Sequence, residues 1–131
     1  MHGKFSMGSE IEREQLDWGE LGWVSRPANG AAQIVAIEVT LLPGKGHNFH
    51  KHPEQEEVIY VLAGVVEQWL DGATQTLRAG DSVFIAPDVV HASFTAGDQP
   101  ARLLAILSPC IGDGGYALVD VSNDAPWNTL R

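Results

Sequence analysis

Gly44-Lys45-Gly46-His47-Asn48-Phe49-His50-Lys51-His52-Pro53-Glu54-Gln55-Glu56-Glu57-Val58-Ile59-Tyr60-Val61-Leu62-Ala63-Gly64 is the stretch on which the reading of this chain turns. His50 and His52 lie two residues apart. In a strand that spacing puts both imidazoles on one face, about 6.5–7 Å apart along the chain. A helix would splay them, and Pro53 directly afterwards opposes one. Glu57 follows His52 by an odd separation, so a continuous strand would send it to the opposite face. A turn or bulge through Pro53-Glu54-Gln55 returns it to the histidine side. Beyond it, Glu57 to Ala63 is rich in Val, Ile and Tyr, reads as a strand, and stops at Gly64.

Working outward, the same punctuation repeats. Gln33 to Leu42 reads as a strand with Val35, Ile37, Val39 and Leu41 on one face, ended by Pro43-Gly44-Lys45-Gly46. Val65 to Leu70 is followed by Asp71-Gly72, a hairpin signal. Gln75 to Arg78, Ser82 to Ala86, His91 to Thr95 and Arg102 to Ser108 complete the series. Short strands at roughly 8–12-residue spacing without a long helix indicate an all-β sandwich or barrel. Near the N-terminus, Ile11 to Trp18 reads as a short helical turn and Arg26-Pro27-Ala28-Asn29-Gly30 as a tight turn. The strand Glu57 to Ala63 is apolar on both sides, since Val58, Tyr60 and Leu62 oppose Ile59, Val61 and Ala63. Either a second copy of the chain or the tryptophan-bearing N-terminal segment then covers its outer side.

Length and charge limit the partners. The 131 residues suit one domain, and Lys plus Arg is 8 against 17 Asp plus Glu, a net charge of −9. Nucleic acid and anionic membrane surfaces are poor partners for such a chain, because both need Lys and Arg. The longest apolar run, about Val58 to Val66, is far below the ~18 residues of a membrane span. Cys110 is the single cysteine, so no intrachain disulfide forms. The N-terminal residues through Met7 lack a signal-like apolar stretch, and cytoplasm is the expected location.

His91, from a later strand, joins His50, His52 and Glu57 as a candidate metal ligand. Three imidazoles and a carboxylate suit one divalent transition metal per chain, Fe, Mn, Ni, Zn, Co or Cu, and leave coordination positions open for water or substrate.

These residues carry a family resemblance. Gly44-x5-His50-x-His52-x4-Glu57-x6-Gly64 resembles the first cupin motif at every position, and the second cupin motif is matched from Gly80-Asp81 through His91. Family spacing admits Glu56 or Glu57 as the acidic ligand, and only Glu57 places Gly64 correctly. The second motif departs at Ala86 and Pro87, at Asp88 in place of glycine, and at Thr95 in place of asparagine. The resemblance spans roughly Val35 to Leu107. It implies a small jelly-roll barrel of two antiparallel sheets with a metal in its mouth, and frequent homodimers. Residues 1–30 then form an N-terminal extension, 31–110 the barrel, and 111–131 a segment packing on the barrel or on a dimer partner.

Several side chains are candidates for the pocket. His47 reads either as a substrate-contacting residue at the mouth or as a solvated loop histidine, the second being the commoner case. Ser93 and Thr95 share the His91 face by period 2, and line the cavity or bond each other. One of Gln68 and Trp69 faces inward. Glu57 is a candidate base if it leaves the metal. Cys110 reads as a structural thiol, and Trp18, Trp23 and Trp127 as packing residues. Lys51, between the ligand histidines, points away from the metal.

Cupins carry many reactions, so the fold does not name one. The expected function is a metal-dependent enzyme, dioxygenase-like or isomerase-like. Scarce Lys and Arg in the cavity segments point to a small neutral or aromatic substrate. The alternative is a non-catalytic module that binds a small molecule in the same barrel.

Overall fold

A computed structural model describes residues 2–131. The strands are β1 (Arg13–Leu16), β2 (Gly19–Ser25), β3 (Val35–Leu41), β4 (Gly46–Lys51), β5 (Glu56–Ala63), β6 (Val65–Leu70), β7 (Ala73–Arg78), β8 (Ser82–Ile85), β9 (His91–Thr95), β10 (Ala101–Ser108) and β11 (Val119–Asp120). They form two antiparallel sheets, ordered β1-β2-β3-β10-β5-β8 and β11-β4-β9-β6-β7. The all-β jelly roll implied by the motifs is therefore the observed fold.

Alternation builds the interior. Val35, Ile37, Val39 and Leu41 of β3, Ile59 and Val61 of β5, and Leu103, Ala105 and Leu107 of β10 all point between the sheets and are buried. Each large aliphatic among them contributes roughly 1.5–3 kcal/mol by leaving water. Val66 and Gln68 face them from β6, which settles the Gln68/Trp69 alternative in favour of Gln68. Trp69 lies on the other side of the sheet, against Phe49.

A second apolar cluster covers the outside of the five-stranded sheet. Phe49, Val90, Ala92 and Phe94 pack there against Val121, Trp127 and Leu130 of the C-terminal segment. Arg131 stacks on Phe94 at 3.7 Å and bonds Glu67, which also accepts the indole N–H of Trp69. The outer side of the six-stranded sheet has no such cover among the described residues. Val58, Tyr60, Leu62, Phe84 and Ile106 are exposed there, Phe84 at 57%.

The N-terminal reading needs correction. Ile11 to Trp18 forms no helical turn: Arg13–Leu16 is an edge strand paired with β2, and Asp17-Trp18 is the tight turn between them. The cause lies in β2, whose residues Leu21 and Trp23 face the core while β2 pairs along β3. A strand docked there offers β1 an open edge, and that long-range pairing overrides local helical preference. The N-terminal segment thus extends the six-stranded sheet sideways instead of covering Val58, Tyr60 and Leu62.

Two turns match their residues. Asp71 (φ 48°) and Gly72 (φ 85°) both take positive φ, as a two-residue hairpin between β6 and β7 requires. Asp88, where the second motif usually has glycine, also adopts positive φ, at 68°. Aspartate is among the few residues that tolerate that conformation. Its N–H donates to the His52 carbonyl and its carboxylate pairs with Lys51 at 3.0 Å, so the substitution keeps the turn and ties it to the histidine strand.

Candidate metal centre

His50 and His91 are cross-strand partners of β4 and β9, and His52 follows the end of β4. All three are buried, and each offers a ring nitrogen within 4.8 Å of the others. Their orientation is fixed from behind. The Nδ1 of His50 lies 2.7 Å from the Asn48 carbonyl, that of His52 2.8 Å from Ala117, and that of His91 3.0 Å from Val89. A carbonyl only accepts, so each Nδ1 carries the proton and each Nε2 presents a lone pair.

Glu57 enters from the opposite sheet. After His52 the chain turns at Pro53-Glu54 and crosses to β5, so the odd separation from His52 carries no penalty. Glu56 is exposed and Glu57 is buried. Glu57 Oε1 lies 3.0 Å from His91 Nε2 and 3.4 Å from His52 Nε2, yet neither contact has hydrogen-bond alignment. Glu57 Oε1 and His91 Nε2 are accordingly buried polar atoms without partners among the described residues. Orphaned lone pairs converging from two sheets cost stability unless something electron-poor sits between them. The donor set fits a divalent transition metal.

Electrostatics agree with that fit. Burial pushes the Glu57 carboxyl upward, and an imidazole N–H or positive charge of His52 and His91 turned toward it brings it to about 2, which leaves Glu57 an anion. Burial, reinforced by the neighbouring histidines, holds His50 well below the usual histidine range. It is therefore neutral and able to coordinate.

His47 is not a solvated loop residue. It lies in β4, stacked on His50 with ring centroids 3.7 Å apart, and Trp18 stacks on it at 4.7 Å. A bulge brings it there: three steps from His47 to His50 oppose two steps from Ser93 to His91. The extra residue turns an odd spacing into a shared inward face. Asn48 sits in the bulge, where its side-chain oxygen accepts the Phe49 N–H. Gly46 precedes it because a Cβ there would lie 2.2 Å from the Ser93 carbonyl oxygen. Burial lowers the His47 pKa to about 4, with the Glu57 charge opposing.

Two cavities adjoin the cluster. An inner one of about 40 Å³ is bounded by His47, His50, Glu57, His91, Ser93 and the aliphatic side chains of Val39, Leu41, Ile59, Leu103 and Ala105. An outer chamber of about 400 Å³ is bounded by Trp18, Gly46, His47, Asn48, His50, Leu118, Asp120 and Ser122. Ser93 donates to Gln68 at 2.7 Å, which joins Gln68 to the inner cavity only through Ser93. Thr95 donates to the Leu42 carbonyl and lines neither space. Cys110 is half-buried, with Sγ 3.7 Å from the Ala31 carbonyl.

One supporting residue escaped the sequence reading. Gln55, fully buried, donates to the Pro109 and Gly115 carbonyls and accepts from the Ala117 N–H. It clamps the loop whose Ala117 carbonyl orients His52. A glutamine two residues before a candidate ligand carries no sequence signal of that kind, because its partners are more than fifty residues away.

Fold and cluster together define a jelly-roll protein with a histidine metal site. The cupin domain family model matches residues 37–107, and the chain belongs to that family. It is 35% identical over 117 residues to the polyketide synthase CurC of Streptomyces cyaneus, covering 88% of this chain and 76% of that protein. Among solved structures it is similar to KdgF from a Halomonas species, with TM-score 0.74, 20% identity, and 85% and 97% of the two chains covered. It is also similar to Bacillus subtilis oxalate decarboxylase with its Mn(II) centres, with TM-score 0.70 and 25% identity. There the match covers 85% of this chain and 30% of that one.

Proposed function

We propose that this chain is a metal-dependent enzyme acting on a small neutral aromatic molecule of polyketide type. His50, His52, His91 and Glu57 hold one divalent transition metal. The observation that carries the reading is the pair of orphaned atoms, Glu57 Oε1 and His91 Nε2, facing each other beside an open cavity. The related fold with Mn(II) centres and the relative named a polyketide synthase support it.

When bound, the metal supplies Lewis-acid or redox chemistry at a substrate oxygen. The protein's own residues do the rest. The three backbone carbonyls hold the imidazoles in one tautomer, and aliphatic side chains form half of the inner cavity's lining. Glu57, held near 2, suits retaining a cation better than moving a proton, since a base works best with a pKa near the working pH. Neither cavity has Lys or Arg in its lining, and Asp120 borders the outer one, which disfavours phosphorylated or carboxylated substrates.

The reading includes a homodimer in which a second copy covers Val58, Tyr60, Leu62, Phe84 and Ile106.

The test is metal content by mass spectrometry on protein purified without a chelating column, followed by turnover assays with neutral phenols and diketones. About one transition metal per chain with metal-dependent turnover is expected. Oxygen uptake identifies a dioxygenase-like reaction, and turnover without it an isomerase-like one. No metal after incubation with excess ion overturns the site. A loaded protein that binds phenols without converting them is the non-catalytic module.

A further inference from the structure

The two cavities share only His47 and His50 in their linings. His50 is fixed by the Asn48 carbonyl and is one of the proposed metal ligands. The His47 side chain makes no hydrogen bond among the described residues and stacks with Trp18 and with His50. The stacked His47–His50 pair therefore forms the boundary between the outer chamber and the inner cavity, and His47 is the member of the pair that is not a proposed ligand.

We propose that His47 is a specificity-determining residue, a throat that admits only a narrow, oxygen-bearing end of a neutral planar ligand. The larger part of that ligand stays in the outer chamber beside Trp18. This rests on the functional reading above and adds the shape of the substrate. Size supports it: the inner cavity has room for a few heavy atoms, about as much as two or three waters need, whereas the chamber takes a ring system. Polarity supports it as well. The apolar inner wall favours a small uncharged end, and the Asp120 carboxylate at the chamber rim favours a ligand with hydroxyl donors.

Two isomeric probes separate width at the throat from bulk in the chamber. In 4-isopropylcatechol the alkyl group lies away from the paired oxygens and can remain outside. In 3-isopropylcatechol it flanks them and must pass the throat. Calorimetric titration of the zinc-reconstituted full-length protein should favour the 4-isomer by about tenfold or more. His47→Ala should bring the two affinities to within about threefold, and His47→Leu, which keeps the bulk, should restore the preference. The same ratio in wild type and His47→Ala overturns the proposal, as does the absence of binding of either isomer at about millimolar concentration. Zinc stoichiometry on the same samples separates the two ideas. One zinc per chain with an unchanged ratio sinks the throat alone, and a changed ratio without zinc sinks the metal site alone.

Discussion

Glu57 Oε1 and His91 Nε2 stand 3.0 Å apart, one from each sheet, both buried and both without a hydrogen bond among the described residues. Two acceptors in that position repel, and an isosteric donor would relieve them. Glu57→Gln supplies an N–H that can reach His91 Nε2, so it should stabilise the metal-free protein by about 1 kcal/mol. The same change removes the anion, and should weaken metal binding by at least tenfold. Thermal melts with and without added zinc check both signs at once. A variant less stable than wild type in the metal-free state would mean that the pair is already satisfied without a metal.

Gln55 extends this logic outward. Its amide holds the loop that carries Ala117, and the Ala117 carbonyl in turn orients His52. Gln55→Leu removes the amide partner of the Pro109 carbonyl and of the Ala117 N–H, while the Gly115 carbonyl keeps the Ile111 N–H, and it loosens the loop that orients His52. The expected outcome is a 10–100-fold loss in metal affinity, roughly the cost of losing an outer-shell partner. His52→Ala should cost far more while leaving the barrel folded. Competition with a chromogenic chelator ranks the two, and equal losses would place Gln55 among the direct determinants of the site.

Acid should destabilise the metal-free protein well before the carboxylates titrate. Burial holds His50 well below 6.5 and His47 at about 4 in the folded state, whereas both take up a proton near 6.5 when unfolded. Below 6.5 the unfolded chain therefore binds more protons, and stability falls as pH falls. Each such group contributes a slope of about 1.4 kcal/mol per pH unit. Glu57, held at about 2, adds loss in the same direction only below its unfolded value near 4.5. Denaturant midpoints between pH 7.5 and 4.5 should drop steeply from 6.5, and His47→Leu should remove one proton's worth of the slope. A flat profile across that window would show that the histidines titrate alike in both states.

How much of this was legible in the sequence depended on range. Val35, Ile37, Val39 and Leu41 announced β3 by alternation, and His50 and His52 announced one face by their spacing, because both signals lie within a single strand. The turn expected at Pro53-Glu54 is present and brings Glu57 to the histidines, and it does so by carrying the chain from one sheet to the other, which the local pattern does not record. Of the two readings of His47, the place at the mouth fits and the loop does not, because the bulge between His47 and His50 turns this strand residue, half-buried, to the His50 face. The N-terminal β1-β2 hairpin was missed for a related reason. Its stability comes from β2 docking along β3, a contact that no local pattern records.

Phe84, Tyr60 and Val58 leave one question of association to experiment. On the five-stranded sheet the equivalent outer face is sealed by Val121, Trp127 and Leu130 of the same chain. On the six-stranded sheet Phe84 is 57% and Tyr60 43% exposed, with Leu62 and Ile106 beside them, which is a large apolar face for a monomer to leave in water. A second copy placed face to face buries it on both sides at once, as the self-matching patch of a twofold dimer does. Sedimentation at micromolar concentration should give a species near twice 14.1 kDa. Phe84→Glu should halve that mass, because a carboxylate within the apolar face must be desolvated opposite its own copy. The substitution lies on the outward side of β8, so metal stoichiometry should be unchanged. A wild-type protein sedimenting as a single species near 14.1 kDa would remove the dimer and leave the face to another partner.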